Sequence, residues 1–131
     1  MATKKPVRAT IESLMKKPPR TKEVTVKTVS DTGRELEINV LFRSLGSKLY
    51  DAIVTEHQPT KEQKKEGNQW NPDTFPPALI AACSVDPRLT VEQATSLWES
   101  EDWSQGELMG LFIAAVKLNN EGLDIPFTAA D

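Results

Sequence analysis

Apolar positions are concentrated in the second half of the chain and are densest in LMGLFIAAVKL, residues 108–118. Every residue there except Gly110 and Lys117 is apolar, so a helix over this segment has no polar face to turn toward water. Both of its sides must therefore be covered. We expect one side to join the core of the protein and the other to bind a partner.

The same segment carries two apolar stripes at helical spacing. One consists of Leu108, Leu111, Phe112 and Ala115, and the other of Met109, Ile113 and Val116. The pattern leaves open which stripe faces inward. Two tryptophans just before the segment are either core residues or anchors of an interface. The candidate partner-binding residues are Trp98, Trp103, Leu108, Met109, Leu111, Phe112, Ile113 and Val116.

Helix boundaries in this half are marked by prolines and capping residues. The prolines at 76–77 suit the first turn of a helix that continues as ALIAACS, and Pro87 prevents its extension beyond Val85. TVEQ at 90–93 and SQGE at 104–107 have the spacing of capping boxes. The short connection between these two helices predicts that they lie side by side or cross as a helical hairpin.

The first half of the chain predicts a β-hairpin. Val24 and Val26 alternate with polar residues before the turn segment SDTG, and the alternation resumes over 36–40. The opposite face of the second strand, with Glu35 and Glu37, can remain in water. A two-stranded β-hairpin is only marginally stable in water by itself. The hairpin must therefore pack on the helices or pair its free edge with another copy.

Three further segments complete this half. Residues 7–17 predict a short amphipathic helix that is stopped by the prolines at 18–19. Residues 43–57 predict a helix capped by Ser44 or Ser47. Its inner side would carry Leu45, Leu49, Tyr50 and Ile53. The polar stretch 58–73 predicts an exposed loop with at most one or two helical turns.

These elements predict a single α+β domain in which an N-terminal antiparallel β-hairpin precedes a mainly α-helical body of about four helices. The length of 131 residues suits one domain of ordinary size. Within it we expect a basic arm or short helix over 1–21, the hairpin over 22–42, the helical body over 43–120 and a flexible tail over 121–131.

The net charge of −3 conceals a separation of charge along the chain. Residues 1–27 contain eight basic and two acidic side chains, whereas residues 85–131 contain two basic and nine acidic ones. A basic arm can bind nucleic acid, but this asymmetry also favours head-to-tail attraction between copies, which suits an assembling protein better. We expect self-association and no nucleic-acid partner.

Residues that carry chemistry are sparse. One histidine, His57, and one cysteine, Cys83, are too few for a metal site or for covalent catalysis by convergent groups. No glycine-rich phosphate loop is present. The chain shows no signal-peptide pattern and no apolar run long enough to span a membrane. We therefore expect no enzyme activity, cofactor, metal or membrane partner, and a reducing, intracellular setting.

The order of these segments resembles the tail assembly chaperone family of long, non-contractile-tailed bacteriophages, particularly those that infect actinobacteria. The resemblance covers about residues 23–119. It is carried by EVTVKTVSDTGRELEINVLFRSL, YDAIVTEHQPTKEQKKEG, NPDTFPPALIAACSVDP, LTVEQATSLWES and WSQGELMGLFIAAVKLN. The basic first twenty residues and the tail from Glu121 lie outside it.

The resemblance implies a non-catalytic role in tail morphogenesis. Such proteins coat the hydrophobic tape measure protein, keep it soluble and help recruit tail-tube subunits. The family often makes a longer form by programmed ribosomal frameshifting, and this chain would be the short form, acting in the host cytoplasm and absent from the mature virion. The alternatives are a structural virion protein, such as a tail or head-completion subunit, and a small enzyme or nucleic-acid binder that uses the basic arm.

Overall fold

The computed structural model describes residues 7–120. Its elements are α1 (Ile11–Met15), β1 (Thr21–Val29), β2 (Glu35–Arg43), α2 (Ser47–Glu56), α3 (Lys61–Lys65), α4 (Phe75–Cys83), β3 (Ser84–Asp86), α5 (Val91–Trp98) and α6 (Gln105–Asn120). The three strands form one antiparallel sheet in the order β1-β2-β3. The predicted α+β class is confirmed. The tail expected at 121–131 and the first six residues of the expected basic arm lie outside the described residues.

The predicted β-hairpin is confirmed, with one more residue at each end than expected. Val24 lies opposite Val40, and Val26 lies opposite Ile38. These four side chains belong to the face that packs toward the helices, and Val26 is buried there. Gly33 has a φ of +84° in the turn, a conformation that glycine adopts without steric cost.

A third strand, β3, was not predicted. Helix α4 ends at Cys83, one residue before the end of the predicted run ALIAACS, and β3 pairs with β2 so that Ser84 lies opposite Phe42. The Ser84 hydroxyl donates to the Ala81 carbonyl (2.9 Å) and accepts from the Leu89 N–H (3.0 Å). Because this one side chain satisfies groups on both sides of the junction, the chain passes from helix to strand without a loop.

Helix α4 lies at the centre of the protein, and eight of its nine residues are buried. Two prolines occupy its first turn, as predicted. It packs against α2, α5 and α6. Complete burial of Phe75, Leu79 and Ile80 contributes on the order of 5–9 kcal/mol, comparable with the net stability of a whole domain.

Helix α6 resolves the choice between the two apolar stripes. Leu108, Leu111, Phe112 and Ala115 face the core, together with Leu118. The other stripe remains at the surface: Met109 and Val116 are half-buried, and Ile113 is 45% exposed. The core side packs on β1 and α4.

Both predicted capping boxes are confirmed. Thr90 Oγ1 accepts from the Gln93 N–H (3.1 Å) at the start of α5, and Ser104 Oγ accepts from the Glu107 N–H (3.1 Å) at the start of α6. In each box the side-chain oxygen of the third helical residue accepts a hydrogen bond from the backbone N–H of the cap residue. Helix α5 packs against α4 rather than along α6, and it meets α6 near the bend through Trp98.

Helix α2 corrects two predictions. Its N-cap is Gly46, without a side-chain cap, so neither Ser44 nor Ser47 has the predicted role. Leu49, expected on the inner side, is 47% exposed, whereas Tyr50 packs edge-on against Phe75 at 6.3 Å. Ser44 instead accepts from the Arg20 N–H (2.9 Å) beside the hairpin. The polar stretch that follows contains only α3, as predicted.

One side chain ties the end of α6 to two other helices. Asn119 Oδ1 accepts from the Leu45 N–H just before α2 (2.6 Å), while Asn119 Nδ2 contacts Cys83 Sγ at the end of α4 (3.3 Å) and donates to the Ala115 carbonyl (2.8 Å). All the polar atoms of this amide therefore have partners within the protein.

Candidate functional site: an apolar groove between α5 and α6

The site is built at the bend where α5 ends and α6 begins. Residues 99–104 connect the helices in a tight path, in which the Asp102 N–H donates to Ser100 Oγ (3.0 Å). The Ser104 N–H donates to Glu107 Oε1 (2.7 Å), which fixes the first turn of α6. These local hydrogen bonds order the connection that follows α5 and the first turn of α6.

A groove with a cavity of about 280 Å³ lies in this bend. Its apolar lining is supplied by Trp98, Trp103, Leu108 and Met109, with Ser100 and Gln105 at its polar edge. Both tryptophans are half-buried, so each packs one side of its ring on the protein and leaves another side accessible. The groove can accept one or two apolar side chains.

The floor of the groove is anchored to the core through aromatic contacts. The Trp98 ring lies edge-on to Phe112, with ring centroids 6.2 Å apart. Phe112 contacts Trp70 and Phe75 in turn, both at 5.9 Å. Because Phe112 is held from several sides, Trp98 is already ordered in the free protein. Binding of a partner at Trp98 therefore costs little side-chain conformational entropy.

An apolar face of α6 extends beyond the groove. Met109, Ile113 and Val116 are spaced by four and three residues, so they follow one face of the helix. We call Trp98, Trp103, Met109, Ile113 and Val116 the groove surface. Its shape, a cleft extended by an apolar helix face, fits an amphipathic helix that inserts anchors at positions i, i+4 and i+7.

The groove surface is bordered by negative charge. Glu99, Glu101 and Asp102 are exposed on the connection, whereas Glu107 in the first turn of α6 faces β1. Hydrogen bonding to the Thr28 side chain, and then to the Ser104 backbone, holds the pKa of Glu107 below its usual range. The three acidic side chains of the connection give the border a negative character that attracts a basic segment.

The structure divides the predicted partner-binding residues into two groups. Trp98, Trp103, Met109, Ile113 and Val116 lie at the surface described above. Leu108 lines the groove but is only 6% exposed, and Leu111 and Phe112 are core residues. The apolar pattern alone could not separate these groups, because both stripes of α6 are apolar throughout.

A second apolar surface lies on α1. Ile11, Leu14 and Met15 are 82%, 69% and 78% exposed, and no residue of this helix is buried. A reciprocal capping box between Thr10 and Ser13 holds the helix without support from the core. The sequence pattern predicted the stripe, and the structure shows that the rest of the described chain leaves it uncovered.

The two residues of greatest chemical reactivity have structural partners. His57 Nδ1 pairs with Thr74 Oγ1 (2.9 Å) at the start of α4. Cys83 is fully buried against Asn119, and burial raises the pKa of its thiol despite smaller opposing effects from Asn119 and Arg43. Within residues 7–120 there is no group of three metal-ligating side chains and no helix long and apolar enough to cross a membrane.

Comparison of the chain with protein-family models, with curated proteins and with solved structures finds no match. We therefore infer function from the groove surface, its charge and the order of the sequence segments.

Proposed function

We propose that this protein is a bacteriophage tail assembly chaperone. In this role it binds the tape measure protein, keeps that long client soluble, and helps recruit tail-tube subunits through a longer form of the same chain. It acts by binding, without catalysis and without a cofactor, in the cytoplasm of the host cell.

The observation that carries this proposal is the groove surface with its acidic border. A tape measure protein is expected to be a long, helical and apolar client, and a helix that lays its apolar face into a groove is the usual way to cover such a segment. The carboxylates Glu99, Glu101 and Asp102 favour client segments that carry Lys or Arg beside their apolar face. The α1 stripe offers a second apolar contact on the same chain.

The test is co-expression of this chain with the tape measure protein of the same phage. We expect the soluble fraction of the client to rise when the chain is present, and to fall back when Ile113→Asp or Trp103→Ala removes part of the groove surface. Leu49→Asp is the matched control, because Leu49 is 47% exposed on α2 while Ile113 is 45% exposed on α6. Circular dichroism confirms that each variant is folded.

Client solubility that does not depend on this chain would contradict the proposal. If Ile113→Asp and Leu49→Asp reduce the soluble fraction of the client equally, the client does not bind specifically at the groove surface. Phe112 is unsuitable for this test because its ring is part of the core.

The location of the chain separates this proposal from a structural role in the particle. A chaperone is released before the tail is complete, so mass spectrometry of purified virions should find the tube and tape measure proteins without this chain. Its presence in virions at the copy number of a structural subunit would favour a tail or head-completion protein instead.

A further inference from the structure

The edge of the sheet formed by β1 is long and unpaired within the described residues. The strand order places β1 at one edge, with β2 on its other side. The Arg20 carbonyl accepts from the Ser44 N–H, and the Ser30 N–H donates to the Arg34 carbonyl. Along an antiparallel strand the backbone groups of successive residues point alternately to one neighbour and to the other. The N–H and C=O groups of the even-numbered residues of β1 therefore point to β2, and those of the odd-numbered residues point to the free edge.

Natural sheets rarely leave such an edge open, because nine residues of unpaired backbone form a template for another strand. The other edge is formed by β3, which has only three residues. No backbone hydrogen bond from the rest of residues 7–120 reaches an odd-numbered position of β1. The edge is therefore available to another chain.

We propose that two copies of this chain pair antiparallel through β1, about a two-fold axis that passes Thr25. Each protomer then contributes the same surface, as two-fold interfaces require, and the two sheets join into one of six strands. The odd-numbered positions become the hydrogen-bonded pairs, which matches the groups that the free edge presents.

Charge selects this register. With Thr25 opposite itself, Glu23 of each copy lies opposite Lys27 of the other, and both side chains are exposed on the outer face. Within residues 7–120 the structure has one salt bridge, between Glu12 and Lys16, so neither Glu23 nor Lys27 forms one there, although Lys27 lies across the strand from Glu37 of its own sheet. A shift of two residues in either direction would lose both cross-strand pairs.

The inner face agrees with the same register. Lys22 of one copy would lie opposite Thr28 of the other, whose side chain lies near Glu107. An open cavity of about 790 Å³ lies at this end of β1, lined by Thr28, Val29 and Glu107 among others. The ammonium group of Lys22 can therefore enter a space that already presents a carboxylate.

The surface of α6 beside the edge leaves room for the second copy. Gly106 and Gly110 line a groove with residues 24–27 of β1. A Cβ at Gly110 would meet nothing within 4 Å, so no contact within the described chain requires glycine there. Glycine inside a helix costs roughly 0.5–1 kcal/mol relative to alanine, and close approach of another chain is one use for it.

The interface involves no client, so it can fail while the chaperone proposal stands. The test uses the full chain and the variants Glu23→Lys and Lys27→Glu in sedimentation equilibrium. We expect the parent to form dimers of twice its 14.6 kDa mass. Each variant alone places like charges opposite each other and should dissociate at least about tenfold more readily.

An equimolar mixture of the two variants supplies the decisive comparison. In this register one variant has positive charges at 23 and 27 and the other has negative charges at both, so the mixture should form heterodimers as tight as the parent dimer. The double variant E23K/K27E should likewise recover the homodimer. Thr25→Lys, which places two positive charges opposite each other on the axis, should also weaken the homodimer.

Amide hydrogen exchange gives an independent readout. The N–H groups of Glu23, Thr25 and Lys27 should become protected as the concentration of the chain rises, whereas those of Val24 and Val26 are protected at all concentrations. Monomeric parent protein, or a single variant Glu23→Lys or Lys27→Glu that dimerises on its own as the parent does, would overturn the proposal. So would protection of the odd-numbered amides in a monomer, since that would place another segment of the same chain on the edge.

Discussion

Replacement of Phe112 by alanine tests the central role of the aromatic cluster. The Phe112 ring is 6% exposed and makes edge-on contacts with Trp70, Phe75 and Trp98 at centroid distances of 5.9, 5.9 and 6.2 Å. It therefore joins α6 to the loop before α4, to α4 itself and to α5. Phe112→Ala removes the one side chain that these three contacts share.

The expected cost follows from burial and from these contacts. Truncation of a buried Phe to Ala costs about 3–5 kcal/mol, and each edge-on aromatic pair adds about 0.5–1.5 kcal/mol beyond its buried area. Alanine recovers a few tenths of a kcal/mol, at most about 0.7, through its higher helix propensity. Even the lower ends of these ranges leave a loss of about 4 kcal/mol, which lies within the usual range for truncation of a buried Phe.

The assay is urea unfolding followed by tryptophan fluorescence and circular dichroism. For a domain of about 100 ordered residues, 4 kcal/mol corresponds to a fall of roughly 15–20 °C in the melting temperature. Ile113→Ala is the matched control, because Ile113 is the next residue of the same helix and is 45% exposed. It should cost less than about 1 kcal/mol.

Equal costs for the two substitutions would refute the assignment of core and surface on α6. A cost below about 2 kcal/mol for Phe112→Ala would show that the cluster collapses around the missing ring, and that Trp98 is held by other contacts.

Three further predictions concern polar groups. Asn119→Ala should cost about 1–3 kcal/mol in urea unfolding, because it leaves the Leu45 N–H without its acceptor, while Asn120→Ala at the exposed end of α6 should change stability little; similar costs would contradict the role of the Asn119 amide. Cys83 should react slowly with a thiol reagent in the native state and rapidly in denaturant, since burial encloses the thiol and raises its pKa; rapid native reaction would show that α4 and α6 separate readily. Glu107→Gln keeps an oxygen for the capping box but removes the charge. The pKa of Glu107 is lowered in the folded state, so the charge stabilises the fold above the unfolded pKa of about 4.3. This stabilisation is lost as the pH falls through the folded pKa. The difference in stability between parent and variant should therefore be largest near neutral pH and vanish in acid, and a difference that does not change with pH would indicate a packing effect.

Features encoded within a few neighbouring residues could be predicted from the sequence. The capping boxes that begin α5 and α6 depend on residues three positions apart, and the prolines that begin α4 fix their own backbone. The hairpin register follows from the alternation of Val24 and Val26 with polar residues, matched by 36–40 across the turn. In each case the determining contacts are local.

Features decided by distant contacts could not be predicted. The run ALIAACSV suits a buried helix or a buried strand equally, and β3 forms only because β2 presents a free edge at Leu41 and Phe42. On α2, spacing from Leu45 suggested Leu49 as an inner residue, but the helix begins after Leu45 and turns Tyr50 toward Phe75 instead.

The candidate site shows the same limit. Local sequence indicated that α6 has two apolar sides, but only the positions of β1 and α4 decide which side is covered. Three of the eight predicted partner-binding residues, Leu108, Leu111 and Phe112, consequently belong to the interior. The acidic border could be recognised from composition, although its place beside the tryptophans depends on the bend between the helices.

The central position of α4 also determines how the protein unfolds. The helix continues directly into β3 of the sheet and packs against α2, α5 and α6. Elements from both halves of the chain therefore pack on this one nine-residue segment. Neither half of the molecule retains a closed interior without it. Residues 21–120 should consequently melt in a single all-or-none step and yield no stable proteolytic fragment, while α1, which buries nothing, can lose its helical turn long before that step.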